Sequence, residues 1–175
     1  MKLAIPLLAA LWLGAAAALA QPATITAKAP QAMAEAMQNL GYRAELTINS
    51  DGAPLIHSAA SGLQFGVYFF GCEAGANCTT VQFYMWLELE QQVSLSVLNE
   101  WNRTKRFGTA VRGADGQPYL KMDLNLDFGG ITIPAFEDNL ALWERLMADF
   151  SNKLGFNSDA PPKETAPKQG PLQEL

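Results

Sequence analysis

The apolar positions of this chain repeat with two different spacings, which predict helices and strands. Three segments carry apolar residues at steps of three and four, as in an amphipathic helix: Pro30 to Leu40, the segment LSVLNEWNRTKR behind Ser94 as its N-cap, and about Pro134 to Leu154. Six other segments alternate or are continuously apolar, as in strands. These are Tyr42 to Ile48, Pro54 to Ala59, Leu63 to Gly71, Thr79 to Glu88, Thr109 to Arg112 and Pro118 to Asp127.

The predicted order is α-β-β-β-α-β-β-α, in which two strands around the Asp115-Gly116 turn follow the middle helix. This order counts three strands before the middle helix, although four strand segments lie there. Turn residues such as Asn49, Asp51 and Gly52 separate neighbouring strand segments, which indicates antiparallel hairpins. No strand-helix-strand alternation is present. The pattern therefore predicts an α+β fold with a mostly antiparallel sheet, in a single domain.

The stretch FFGCEAGANCTTVQFYMW, residues 69–86, contains both cysteines of the chain. Cys72 and Cys78 lie on either side of a Gly-rich turn between two aromatic strand segments. In an oxidising compartment such a pair is expected to form a disulfide, with two reduced buried cysteines as the alternative. The spacing is not that of a Cys-x-x-Cys redox pair, and the two cysteines with the single His57 do not supply four zinc ligands.

The strand segments on either side of this turn carry aromatic residues at alternating positions. Tyr84 and Trp86 share one face of the later strand, and Tyr68 and Phe70 alternate in the same manner on the earlier one. Tyr and Trp are enriched in contact surfaces, so these four residues are the predicted binding site, for a protein partner or for self-association as a homodimer. In the alternative interpretation a helix or the Pro-rich tail covers them.

The two ends of the chain differ from the middle in composition. Residues 1–20 have Lys2, then an apolar run, then an Ala-x-Ala site, which predicts a cleaved signal peptide and a periplasmic or secreted protein. An uncleaved membrane anchor is the alternative. Residues 21–155 are the predicted domain, and residues 156–175, rich in Pro and polar residues, are predicted to be a disordered tail.

The charge balance narrows the classes of partner. The formal net charge is −5, and removal of Lys2 with the leader would make it −6. An acidic chain without Lys/Arg clusters argues against nucleic acid and against anionic membrane surfaces as partners after cleavage.

Candidate catalytic or metal-binding patterns are incomplete. Asp123, Asn125 and Asp127 alternate like the first ligands of a calcium loop, but the Gly and Glu that the loop requires later are missing. The alternation is better explained as a strand with Leu124, Leu126 and Phe128 pointing inward. His57 and Ser58 are neighbours in one strand and so point to opposite faces. We therefore expect no catalytic residues, no metal site and no cofactor.

Four stretches resemble the YbjN family of bacterial proteins: LNEWNRTKRFG at residues 98–108, GYRAEL after the first helix, DGQPYLKMDLNL, and LALWERLMADF in the last helix. The resemblance implies a fold similar to type III secretion chaperones, with the element order predicted above, and a bacterial source. Members of the family are described as sensory-transduction regulators, which names no reaction and supplies no catalytic residues. The signal peptide, the Cys pair and the tail depart from the cytoplasmic pattern of the family.

Together these features predict an exported, non-enzymatic, protein-binding or chaperone-like module of the bacterial envelope. Two alternatives stay open at this point. One is an accessory regulator in envelope signalling or the stress response, and the other is a hydrolase whose carboxylates the sequence does not single out.

Overall fold

The computed structural model of the protein describes residues 24–156, which form three helices and eight strands. In chain order the elements are β1 (Thr24–Ile25), α1 (Pro30–Asn39), β2 (Arg43–Ile48), β3 (Pro54–Ala60), β4 (Leu63–Phe70), β5 (Thr80–Trp86), α2 (Leu95–Thr104), β6 (Thr109–Arg112), β7 (Pro118–Asn125), β8 (Ile131–Thr132) and α3 (Ile133–Lys153). The predicted α+β class is confirmed, and the predicted order is roughly consistent with the structure. It gives three strands between the first two helices where the structure has four, β2 to β5, and it lacks the short strands β1 and β8.

The main sheet has six strands in the order β2-β3-β4-β5-β7-β6, and every neighbouring pair is antiparallel. The additional strands β1 and β8 form a separate two-stranded sheet, in which Thr24 lies opposite Thr132. Sequence reasoning missed these strands because two residues are too few to show alternation.

Local turn chemistry positions the first three strands of the sheet. Ser61 and Gly62 have φ values of 51° and 78°, so the two-residue connection from β3 to β4 has both central residues in the left-handed region, as a tight hairpin requires. In the turn before β3, the Asn49 side chain accepts hydrogen bonds from the backbone N–H groups of Asp51 and Ala53, at 2.9 and 3.0 Å. These two turns fix the register of β2, β3 and β4.

The three helices and one face of the sheet enclose the main core. Trp143 of α3 is fully buried, and its ring centroid lies 6.1 Å from that of Phe65 and 5.8 Å from that of Phe83. Met33 and Met37 of α1 belong to the same apolar cluster. The apolar faces of the helices and of the strands, which the sequence periodicity defines, therefore pack against each other in one core.

The LNEWN segment attaches α2 to the edge strand β6. The Trp101 indole N–H donates to the Gly108 carbonyl at 2.9 Å. The Asn102 amide accepts from the Ala110 N–H at 2.7 Å and donates to the Ala110 carbonyl at 2.9 Å, as a neighbouring strand would. At the opposite edge, Gln38 of α1 donates to the Ala44 carbonyl of β2 at 2.7 Å. The motif that carries the family resemblance thus has a structural role in this chain.

One detail of the sequence interpretation holds only in position, and another is wrong. Ser94 occupies the N-cap position of α2 but makes no side-chain capping bond, and its hydroxyl lies 2.9 Å from that of Ser96. Phe128, which the alternation placed inside, is 95% exposed. The strand β7 ends at Asn125, so the inward and outward alternation does not continue as far as Phe128.

The predicted leader, residues 1–20, lies outside the described residues, as does the predicted tail apart from Phe156. Phe156 packs against the main core, and its backbone N–H donates to the Ser151 carbonyl at 3.0 Å. Within residues 24–156, none of the helices combines the length and the apolar character needed to span a bilayer.

Candidate functional site

The face of the main sheet that points away from the core carries a second apolar cluster, which we call the tyrosine face. Its buried members are Leu55, Tyr68, Tyr84 and Tyr119, and its half-buried members are Phe70, Trp86 and Val111. All seven lie on strands, and no residue of the three helices belongs to the cluster. A face that a helix leaves uncovered is usually polar in an antiparallel sheet, so an aromatic one needs a separate explanation.

Strand pairing brings the tyrosine rings into contact with one another. Tyr68 and Tyr84 meet edge to face with centroids 5.5 Å apart, and Tyr84 and Tyr119 lie 5.2 Å apart with their planes tilted by 39°. Lys121 lies directly opposite Tyr84 in the register, with its ammonium nitrogen 5.7 Å from the ring centroid. Three adjacent strands thus present one continuous aromatic row with a cation beside it.

A glycine makes room for this row. Gly66 lies opposite Tyr84 in the β4–β5 register. A Cβ atom at Gly66 would lie 2.8 Å from the Cε2 atom of Tyr68 and 3.2 Å from the Cδ1 atom of Leu55. The Tyr68 ring therefore lies over the glycine backbone, in space that any other residue would occupy.

The four residues predicted to bind a partner all lie on the tyrosine face, but they differ in exposure. Tyr68 and Tyr84 are only 3% and 5% exposed, whereas Phe70 and Trp86 are half-buried. An incoming group would meet Phe70 and Trp86 first.

Sequence reasoning missed three members of this cluster: Leu55, Tyr119 and Val111. Tyr119 alternates with Leu120 in its strand, which is a signal for its face. What the sequence does not give is the pairing of β7 with β5, which places Tyr119 opposite Trp86.

Burial controls the ionisation of the tyrosines on this face. Burial raises the pKa of Tyr68, and it raises the pKa of Tyr84 far above the ordinary value, with smaller contributions from Tyr119 and Tyr68. Burial also raises the pKa of Tyr119, helped by the hydrogen bond that its hydroxyl donates to Asp115 at 2.5 Å. All three rings are thus neutral phenols at physiological pH.

We expect the folded protein to resist tyrosine ionisation. The fourth tyrosine, Tyr42, also has a raised pKa, from burial and then from Glu144. Phenols in the unfolded chain ionise near pH 10, so they release protons before the folded ones do. Folding stability is then fully present below about pH 10 and falls as the pH rises above that value.

The measurement is the ultraviolet absorbance of phenolate during an alkaline titration, with the same chain in denaturant as control. The denatured chain should titrate near pH 10 and the folded chain only as it unfolds. If the tyrosines of the folded chain titrated with the same midpoint as those of the denatured chain, the result would contradict the burial of the tyrosine rings.

The predicted disulfide is present at one end of the sheet, between Cys72 and Cys78. It closes the connection from β4 to β5, where Glu73 and Ala76 pair through their backbones at 2.7 and 3.0 Å. A Cβ atom at Gly75 would lie 2.5 Å from the Gly52 carbonyl oxygen, so this loop packs tightly against the β2–β3 turn. The disulfide therefore closes one hairpin, β4–β5, and the packing at Gly75 places the loop of that hairpin against the β2–β3 turn.

A small polar cluster lies on the other side of the molecule. Glu144 of α3 accepts hydrogen bonds from Ser61 at 2.7 Å and from Tyr42 at 3.3 Å, at the wall of an open depression of about 360 Å³. Both carboxylate oxygens thus bind hydroxyl groups that connect α3 to the β3–β4 turn and to the start of β2. This arrangement fastens the helix to the sheet.

Other candidate chemical groups do not converge. His57 lies opposite Glu45 and Gly66, and burial lowers its pKa. Ser58 is buried, and within the described residues its hydroxyl has no hydrogen-bond partner. Among residues 24–156 no group of three or more His, Cys, Asp or Glu side chains could hold a metal ion.

The fold and this face define a small α+β protein whose distinctive surface is apolar and aromatic. Residues 29–156 match the model of the YbjN family, described as "Putative bacterial sensory transduction regulator", and the chain belongs to that family. No curated protein and no solved structure matches the chain. The family description indicates a regulatory or binding role and names no reaction.

Proposed function

We propose that this protein is a non-enzymatic, protein-binding module of the bacterial envelope and that the tyrosine face is its contact surface. One observation carries the proposal: seven apolar and aromatic residues form a cluster on a sheet face to which no described helix contributes. Clusters rich in Tyr and Trp provide large contact area at low conformational cost and are typical of recognition surfaces.

The face combines a rigid centre with an accessible margin. The buried rings of Tyr68 and Tyr84 support the half-buried side chains of Phe70 and Trp86, so the latter are held in place before binding. Beside them, Gln82 donates a hydrogen bond to Asp123 at 2.7 Å, which adds a polar margin. An ordered apolar anchor inside a polar margin is the usual arrangement of an interface hot spot.

The envelope location is supported by two independent features. The N-terminal sequence has the three parts of a secretory signal. The Cys72–Cys78 disulfide is of the kind that persists in oxidising compartments. A partner in the envelope is also consistent with a regulatory role, in which binding rather than catalysis transmits the signal, as the family description suggests.

The test places a photoreactive amino acid on the face and asks what it contacts. We expect a chain with the photoreactive residue at Trp86 to cross-link one envelope protein, or a second copy of itself, in living bacteria. The matched control carries the same residue at Phe128, which is 95% exposed but is not a member of the tyrosine face.

The substitution Phe70→Asp should reduce the yield of the cross-linked product formed from Trp86 about tenfold. Loss of one anchoring contact corresponds to at least about 1.4 kcal/mol of binding free energy. Circular dichroism must first show that the variant is folded. Equal cross-linking from Trp86 and Phe128, or a product unaffected by Phe70→Asp, would contradict the proposal.

A further inference from the structure

The tyrosine face has few exposed atoms although the described helices all pack on the other side of the sheet. Tyr68, Tyr84 and Tyr119 are 3%, 5% and 8% exposed. The half-buried Phe70 and Trp86 are therefore the members that a ligand can reach, and a thin, extended ligand can pack along them. A flat aromatic surface of this kind matches a polyproline II segment, which packs its proline rings between aromatic side chains and loses little entropy on binding.

The C-terminal segment of this same chain, residues 157–175, has that composition. It contains Pro161, Pro162, Pro167 and Pro171, and it has no aromatic residue. We propose that this segment is an internal ligand of the tyrosine face and competes with the outside partner there. The proposal rests on the proposed function of the face and assigns a regulation to it.

The position of the last helix favours this occupant. Lys105 of α2 forms an ion pair with Asp149 of α3 at 2.6 Å, and Lys153 forms another with Glu100 at 3.2 Å. The end of α3 is thus attached to α2, which is itself attached to the edge strand β6 through Asn102. The chain leaves the described structure beside the edge from which the face begins.

The remaining distance is within reach of the segment. On the face, Val111 of β6 and Tyr119 of β7 lie directly opposite each other, and Trp86 of β5 comes next. Crossing two strand spacings and the thickness of the sheet and helix layers requires on the order of 30 Å. The 19 residues beyond Phe156 extend about 60 Å in a polyproline II conformation.

The positions of single charges add a second match, although residues 157–175 hold two lysines and three acidic residues in all. Asp115 accepts a hydrogen bond from Tyr119, and Glu88 lies near enough to raise the pKa of that tyrosine. In the segment, Lys163 follows the Pro161-Pro162 pair and Lys168 follows Pro167. Proline rings would thus meet the half-buried Trp86 while the lysines lie near the carboxylates at that margin.

Weak binding is sufficient for an internal ligand. A flexible connection holds the segment at an effective concentration of about 1 mM, so an intrinsic dissociation constant near 1 mM would leave the face about half occupied. An outside partner of micromolar affinity would then bind only about twofold more weakly than to an open face. The segment therefore acts as a mild competitor that weakens the binding of every partner at this face by the same factor.

The test is a paramagnetic label on the segment in the otherwise complete chain. The only native cysteines are Cys72 and Cys78, which are bridged to each other, so Gln169→Cys supplies a single labelling site and keeps both lysines of the segment. We expect the label to remove most of the height of the Trp86 indole N–H peak, assigned with Trp86→Phe. The matched control is Ala32→Cys on α1, an exposed residue on the helix side of the sheet, whose label should leave that peak unchanged.

Replacing the four prolines by Ala in the labelled chain should restore the Trp86 peak and raise the cross-linking of the outside partner about twofold. An unaffected peak in the Gln169→Cys chain would overturn the proposal. A second control mixes the spin-labelled chain with an isotope-enriched chain that carries no label. Loss of the Trp86 peak of the enriched chain in this mixture would also overturn the proposal, because the segment of a second copy would then occupy the face. The peak is measured without any partner, so these outcomes are independent of the cross-linking test.

Discussion

Replacing Trp101 by Ala is expected to lower the free energy of unfolding by about 3–5 kcal/mol, more than any other single change considered for this protein. The side chain is 1% exposed and meets Phe150 edge to face at a centroid distance of 5.0 Å. Its removal leaves a cavity between α2 and α3 and deprives the Gly108 carbonyl of its donor. Urea denaturation followed by circular dichroism measures the effect.

A pair of conservative substitutions separates the hydrogen bond from the packing. Trp101→Phe keeps a ring but leaves the buried Gly108 carbonyl unpaired, so we expect a loss of about 2 kcal/mol. Trp143→Phe is the matched control. Trp143 is equally buried, but its indole nitrogen has no hydrogen-bond partner among residues 24–156. The loss there should be smaller, because no hydrogen bond is broken. Equal losses of unfolding free energy in the two variants would mean that the hydrogen bond to Gly108 adds nothing to stability and that both losses come from the smaller ring.

Removing the disulfide with Cys72→Ser and Cys78→Ser is expected to destabilise the fold by about 2 kcal/mol, from the greater freedom of the unfolded chain. The closed loop is short, since the two cysteines are six residues apart, which keeps the effect at the lower end of the usual range. Chemical denaturation of the double variant and of the native chain, each with and without reductant, gives the comparison.

The control is internal to that experiment. Reductant should lower the midpoint of the native chain to that of the double variant and leave the double variant unchanged. A native chain that is insensitive to reductant would contradict a stabilising role of the disulfide, provided that mass spectrometry confirms reduction.

Most of the fold could be predicted because its elements are encoded locally. The long stripe of α3, the Ser61-Gly62 connection and the Cys pair are all patterns within a few residues of one another. The strands β1 and β8 could not be predicted, because each is two residues long and is defined only by pairing across more than 100 residues of sequence. Phe128 was misplaced for a related reason, since the end of a strand depends on its neighbour in the sheet.

The sequence predicts which face of the sheet carries the candidate site, but it does not predict all of the residues that belong to the site. Alternation alone places Tyr84 and Trp86 together. Tyr119 joins them only through the pairing of β5 with β7, which brings together strands separated by α2 and β6. The exposure of each ring could not be predicted from the sequence either, because it depends on how three rings from three strands pack against one another.

Amide side chains occupy backbone groups at the two edges of the sheet. Asn102 occupies both backbone groups of Ala110 at one edge, and Gln38 occupies the Ala44 carbonyl at the other. Adding a strand from another chain would first require breaking these bonds, and main-chain pairing of that kind accepts almost any sequence. Under the proposed function, recognition would instead depend on the side chains of the aromatic face, so discrimination among partners would follow from their sequence.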